Sequence, residues 1–243
     1  MPDVSGHIVT SYEQELKRLR DLLADMGGLV ESGVTLSMRA VLERDAVAAE
    51  RVIEQDAFVD KLERDVEAFV IRMLALRQPM ARDLREIVAS LRITAALERI
   101  GDYARNIAKR SLILNQATFS HRLGGLSHMS HLVQENLKIV IDAIGEGDAE
   151  TAERVWRADE AVDDIYNAIL RELITYMIED PRNITPCTHL LFIAKNLERV
   201  GDHATNIAET VYFAATGDNL PDERPKGMDA VNDRSPDPNG DFP

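Results

Sequence analysis

Two twelve-residue stretches of this chain place a glutamate, an aspartate and an asparagine at intervals of four: Glu98, Asp102 and Asn106 in LERIGDYARNIA, and Glu198, Asp202 and Asn206 in LERVGDHATNIA. A helix advances about 100° per residue, so each trio spans about 80° and shares one face. The same spacing pairs Asp56 with Asp60 and Asp159 with Asp163, and Glu63 and Glu67 extend the first of these lines. Carboxylates four apart on an isolated helix repel by roughly 0.2–0.5 kcal/mol per pair, so a repeated array calls for a cation. Oxygen donors from Asp, Glu and Asn suit hard or borderline ions such as iron, manganese or magnesium, and two acidic faces side by side could bridge more than one. The competing account is a solvated acidic face neutralised by arginine and lysine. Sequence alone leaves both open.

The neighbours of these residues carry further expectations. Arg99 and Arg199 adjoin the acidic faces as salt-bridge partners of the carboxylates or as contacts for a bound phosphate. Gly101 and Gly201 sit in mid-helix, where each costs about 1 kcal/mol against alanine, which points first to close approach of a neighbouring helix and second to space for a ligand or ion at the motif. Ile93, Leu97, Ile100, Ala104 and Ile107 form the opposite, apolar face. His203, in place of Tyr103, lies about 100° from Glu198 and reads as a packing or surface histidine rather than a metal ligand.

The elements that must hold these faces are helices. Apolar residues recur at three- and four-residue steps, as in Val59, Leu62, Val66, Phe69, Val70 and Met73, and strand-like alternation is absent. The pattern predicts six helices: Ile8 to Leu42, with Gly27 and Gly28 as loosening points; one capped by Asp45 and ending near Arg77; one from Pro79 to Leu114; Leu126 to Ile144; one capped by Asp148 and running to Glu179; and one opened by Thr185 and Pro186 and running to Ala215. Short connections make sequence neighbours antiparallel, so the expected fold class is all-α, two tandem pseudo-symmetric three-helix bundles.

An internal duplication supports this division. The two twelve-residue stretches share nine identities at an offset of 100, and residues 45–60 share nine identities in sixteen with 148–163 at an offset of 103. Three residues are therefore missing between the second and third helix of the later copy, where a loop absorbs the change. The expected units are 1–116, 117–216 and a tail, 217–243, which holds seven acidic residues and five of the nine prolines. That composition is too polar to form a core.

Charge and composition bound the function classes. With 42 acidic against 28 basic residues, the net charge of −14 opposes binding to DNA or RNA. No run approaches the roughly 18 apolar residues of a membrane span, and the N-terminus lacks a signal peptide's apolar segment, so a cytoplasmic protein with no membrane insertion is expected. The single cysteine, Cys187, excludes an internal disulfide and a cysteine metal cluster.

LERIGDYARNIA and LERVGDHATNIA resemble the two signature helices of the PhoU family of phosphate-transport regulators, and DAFVD and DEAVD resemble its paired Asp-x-x-x-Asp segments. Further similarity lies in RDLREIVASLRIT and VYFAATGD, so the resemblance runs over about residues 8–218. It implies two pseudo-symmetric three-helix bundles with metal clusters on the acidic faces, and association with a phosphate ABC transporter and with the sensor histidine kinase of the phosphate-starvation response. It also implies a homodimer, cytoplasmic and peripheral at the inner face of the cell membrane through the transporter. A non-enzymatic metal-binding regulator is the first expectation, since no nucleophile elbow, phosphate-cradling glycine loop or catalytic triad accompanies the carboxylates. The alternative from the same residues is a di-metal phosphohydrolase. A ferritin-like site would need Glu-x-x-His pairs, and the chain has none.

Overall fold

The computed structural model describes residues 4–117, 124–158 and 160–221, and among these no strand occurs. Helix α1 spans Val4–Leu42, α2 Ala46–Arg77 and α3 Ala81–Leu114. The second half contains α4 Gly124–Glu146, α5 Ala149–Arg157, α6 Glu160–Glu179, a 3-10 turn at Pro181–Asn183, and α7 Ile184–Thr216. Residues 222–243 of the expected tail lie outside the described residues, while Leu220, at its near end, is buried in the core. No described helix is long and apolar enough to cross a membrane.

Local chemistry sets the helix starts. Asp45 accepts from the amide of Ala48 at 3.0 Å, and Asp148 from those of Glu150 and Thr151 at 3.0 and 3.1 Å, satisfying amides that a helix start leaves open. Between α2 and α3 the chain reverses around Pro79 through Gln78 and Ala81, both left-handed at φ 47° and 48°. Up-down-up order then lays α3 parallel to α1, with Arg20 donating to Glu86 at 2.6 Å.

The structure departs from expectation at two places. The helix expected from Asp148 to Glu179 is two helices, α5 and α6, parted at Ala158, whose amide bonds back to Val155 in a tightened last turn. Apolar periodicity runs through this break, with Val155, Trp156 and Val162 all buried, and so conceals it. Glu160 and Asp163 stand in the first turn of α6, where the positive end of a new helix favours acids. The second departure is α1, which runs unbroken through Gly27 and Gly28.

The two halves share one core. Buried Met26, Val34, Leu97, Ile100, Met129, Leu137, Leu197 and Val200 belong to a single apolar cluster, and a smaller one, including Leu19, Val70, Met73 and Ile87, fills the first half near the α2–α3 turn. Helices α3 and α7 pack antiparallel: Tyr103 meets His203, Arg92 lies over Phe213, and Arg110 lies over Phe192. Helix α4 crosses α1 at Gly27, where a β-carbon would fall 2.8 Å from Cγ2 of Ile141, while one on Gly28 would meet nothing within 4 Å.

The adjacent glycines should therefore respond oppositely to alanine. Gly28→Ala removes backbone freedom in an open position and should raise stability by about 0.5–1 kcal/mol. Gly27→Ala forces a branched side chain aside and should lower it by about 1–3 kcal/mol. Urea denaturation of both variants measures the difference.

Candidate functional site

The acidic faces of α2 and α3 meet in the first half. Asp56, only 9% exposed, accepts a hydrogen bond from Nη1 of Arg105, whose Nη2 donates to Asp102 at 2.6 Å. One guanidinium thus ties the Asp-x-x-x-Asp segment of α2 to the signature helix α3. Arg99 lies 3.6 Å from Glu98 and 3.8 Å from Asp102 as a looser, largely exposed counter-charge. Asp60 is half-buried on α2, and Asn106 is half-buried on α3, one turn beyond Asp102. The helices come this close because Gly101 has no side chain, where a β-carbon would stand 3.3 Å from Cγ1 of Val59.

Electrostatics sets this face apart. Burial is the largest cause that lifts the Asp56 carboxyl above its ordinary range against the pull of Arg105, with Asp60 and Asp102 adding to the rise. Glu98 is raised by burial and then by Asp102, against the pull of Arg99, and Glu63 by burial and then by Glu67 and Asp60. Carboxylates on two helices therefore feel one another, and the arginines between them compensate incompletely.

The second half handles the same residues differently. Glu198, with 13% of its side chain exposed, forms an ion pair with Lys195 one turn back on α7. Asp202 and Asn206 are exposed on α7, Asp163 is exposed in the first turn of α6, and Asp159 lies outside the described residues. The position matching Arg105 is Thr205, a buried residue whose hydroxyl bonds to the carbonyl of Gly201 at 3.2 Å. The second half thus carries no arginine at the position of the clamp. Sequence reasoning weighed the positions at which the two copies agree, and Arg105 stands at one of the three in twelve where they differ.

His203 packs where α3 and α7 cross, its ring 5.6 Å from that of Tyr103, and burial followed by the charges of Arg99 and Arg199 holds its pKa down. It is a packing residue, as its position on the helix predicted. Arg199 lies over Tyr103 at 5.7 Å, a cation–π contact with an aromatic of the other half.

Two outcomes follow from the clamp. Arg105→Gln leaves Asp56 without its counter-charge and should cost about 1–3 kcal/mol in a urea titration. Asp56, Glu63 and Glu98 have folded values raised above the unfolded ones, so the folded state binds more protons in that window, and stability should rise as pH falls from neutral towards the ordinary 4.5 of a glutamate. Glu15, Asp148 and Asp180 are held low by hydrogen bonds, and their contribution is lost only below their ordinary values. Glu63→Gln with Glu98→Gln should flatten the rise above 4.5 in the melting temperature and leave the loss at lower pH unchanged.

Comparison with known proteins follows the repeat. The PhoU domain model matches residues 23–111 and again 126–211. The chain is 50% identical to the phosphate-specific transport system accessory protein PhoU homolog of Caulobacter vibrioides over 92% of its own length and 97% of the relative's. Against the homolog of that name from Rhizobium meliloti the identity is 48%, over 91% and 94%. The crystal structure of PhoU from Pseudomonas aeruginosa superposes with a TM-score of 0.83 at 38% identity, covering 85% of this chain and all of that one. The phosphate transport system regulatory protein PhoU from Streptococcus pneumoniae gives 0.79 at 28% identity, covering 86% and 99%. With both copies of the domain matched in order, and with relatives near half identity over almost their whole length, this chain belongs to the PhoU domain family.

Proposed function

We propose that this chain is an accessory of a phosphate-specific transport system that restrains uptake through the transporter, and signalling by the phosphate-starvation sensor kinase, when phosphate is plentiful. The observation that carries this reading is the near-complete alignment, at 48–50% identity, with proteins named as accessories of that system. The protein acts by contact, as a cytoplasmic homodimer held at the membrane by the transporter. Deleting the gene should switch on starvation-responsive transcription in phosphate-replete cells, and a normal phosphate response in the deletion strain would overturn the reading. A pull-down from replete cells should recover the transporter or the kinase.

We further propose that the acidic face of α2 and α3 takes up a divalent or trivalent cation through Asp60, Glu98, Asp102 and Asn106, with Glu63 beside them. The raised carboxyls of Glu63 and Glu98 support this, because oxygen donors crowded together lose their repulsion when an ion binds between them. Two observations limit the site. Among the described residues no three His, Cys, Asp or Glu side chains already converge on one point, and Arg105 supplies the positive charge between Asp56 and Asp102. Binding therefore involves side-chain rearrangement on the helix faces, and use of Asp56 requires displacement of Arg105. Asp159, Asp163, Glu198, Asp202 and Asn206 would be the donors of the matching site in the second half, where Lys195 competes for Glu198.

Calorimetric titration of metal-stripped protein with manganese, iron(II) and magnesium should show uptake that weakens at least about tenfold in the Glu98→Gln, Asp102→Asn double variant, as loss of chelating oxygens requires. Elemental analysis after gentle purification should agree, and stripped protein that takes up none of the three ions would overturn the metal reading alone.

A further inference from the structure

The turn between α2 and α3 carries side chains that folding leaves unused. Ile71, Leu76 and Met80 are 65%, 64% and 80% exposed, and Leu84, one helical turn beyond Met80, is 40% exposed. The surrounding stretch, residues 71–86, holds four arginines against two acids in a chain of net charge −14. Two of the nearby acids are engaged: Glu86 by Arg20, and Glu15 by Arg77 at 2.7 Å. Arg72 and Arg82 remain exposed among the aliphatic side chains.

The second half supplies an internal control. Its matching stretch, residues 174–186, keeps exposed aliphatic residues in Ile174, Ile178 and Ile184 at 45%, 78% and 48%. Its charge is different, with Glu179 and Asp180 against the single Arg182, which pairs with Asp180 at 2.8 Å. Because α3 and α7 run antiparallel, the two turns lie at opposite ends of the molecule. One turn is therefore aliphatic and basic, and the other aliphatic and acidic.

We propose that the α2–α3 turn is a docking surface for an anionic phospholipid bilayer. Leu76 and Met80 enter the boundary between headgroups and acyl chains, Ile71 and Leu84 flank them, and Arg72 and Arg82 meet lipid phosphates. Aliphatic side chains beside arginines match that boundary in both polarity and charge. The isoleucines of the opposite end lie among acids that such a surface repels. The proposal goes beyond the phosphate-regulatory reading, which stands or falls separately through the deletion strain.

The test is co-sedimentation of the full chain with vesicles of phosphatidylcholine alone and of phosphatidylcholine mixed with phosphatidylglycerol. The protein should pellet with the mixed vesicles, be released by salt, and stay in solution with phosphatidylcholine alone. Partitioning should fall about tenfold in the Leu76→Ser, Met80→Ser double variant and about fivefold in Arg82→Gln, while Ile178→Ser partitions as the unaltered chain does. These side chains are exposed, so circular dichroism and melting temperature should be unchanged in every variant. Failure to pellet with anionic vesicles would overturn the proposal. So would equal loss in Ile178→Ser, or indifference to the Leu76 and Met80 substitutions, which would assign the patch to a protein partner.

Discussion

The antiparallel packing of α3 on α7 is the constraint from which the rest of the molecule follows. Each helix turns Leu, Ile or Val, Gly and Ala inward at matching positions, so Leu97, Ile100 and Ala104 are buried as are Leu197, Val200 and Ala204. The opposite faces, which carry the acids, are thereby directed towards α2 in one half and towards α5 and α6 in the other. The same crossing merges the two halves into one core and brings Tyr103 against His203, the two versions of one repeat position. It also sends the α2–α3 turn and the α6–α7 turn to opposite ends, so that whatever each end contacts, it contacts separately.

A core assembled this way leaves carboxylates half-buried at the edges of helix contacts, and the two halves relieve the resulting desolvation differently. In the first, Arg105 reaches across from α3 to Asp56 and so links two helices while bridging both carboxylates. In the second, Lys195 pairs with Glu198 within α7 and also lies over the Tyr166 ring of α6 at 5.1 Å. The first half thus joins its helices through an ion pair, and the second through a cation–π contact and the indole of Trp156, which donates from α5 to Glu209 of α7 at 3.1 Å.

Much of this was legible from residue types because the relevant chemistry is local. Asp45 and Asp148 announce helix starts through an oxygen that reaches amides two or three residues on, and Gly101 in mid-helix announces the approach of Val59. The duplication fixed which faces correspond. What escaped depends on partners distant in sequence. The break at Ala158 is hidden because the apolar periodicity continues across it. The roles of Gly27 and Gly28 cannot be told apart without Ile141, which lies on another helix. Arg105 was passed over because the recurrence of a residue measures what both halves need, and the clamp serves only one.

That last point bears on how a duplicated protein acquires unequal surfaces. The apolar positions Leu97, Ile100 and Ala104 recur as Leu197, Val200 and Ala204 in the shared core, while other contact positions of the crossing differ, as Tyr103 does from His203 and Arg92 from Phe192. Positions pointing away from the crossing are released from that symmetry. Several differences change charge: Arg105 against Thr205, Ala95 against Lys195, and arginines at one turn against acids at the other. Each substitution changes the charge of one face or one end while leaving the buried apolar set intact. The two copies are joined where α3 packs on α7 and where α4 crosses α1, and faces outside those contacts are free to diverge.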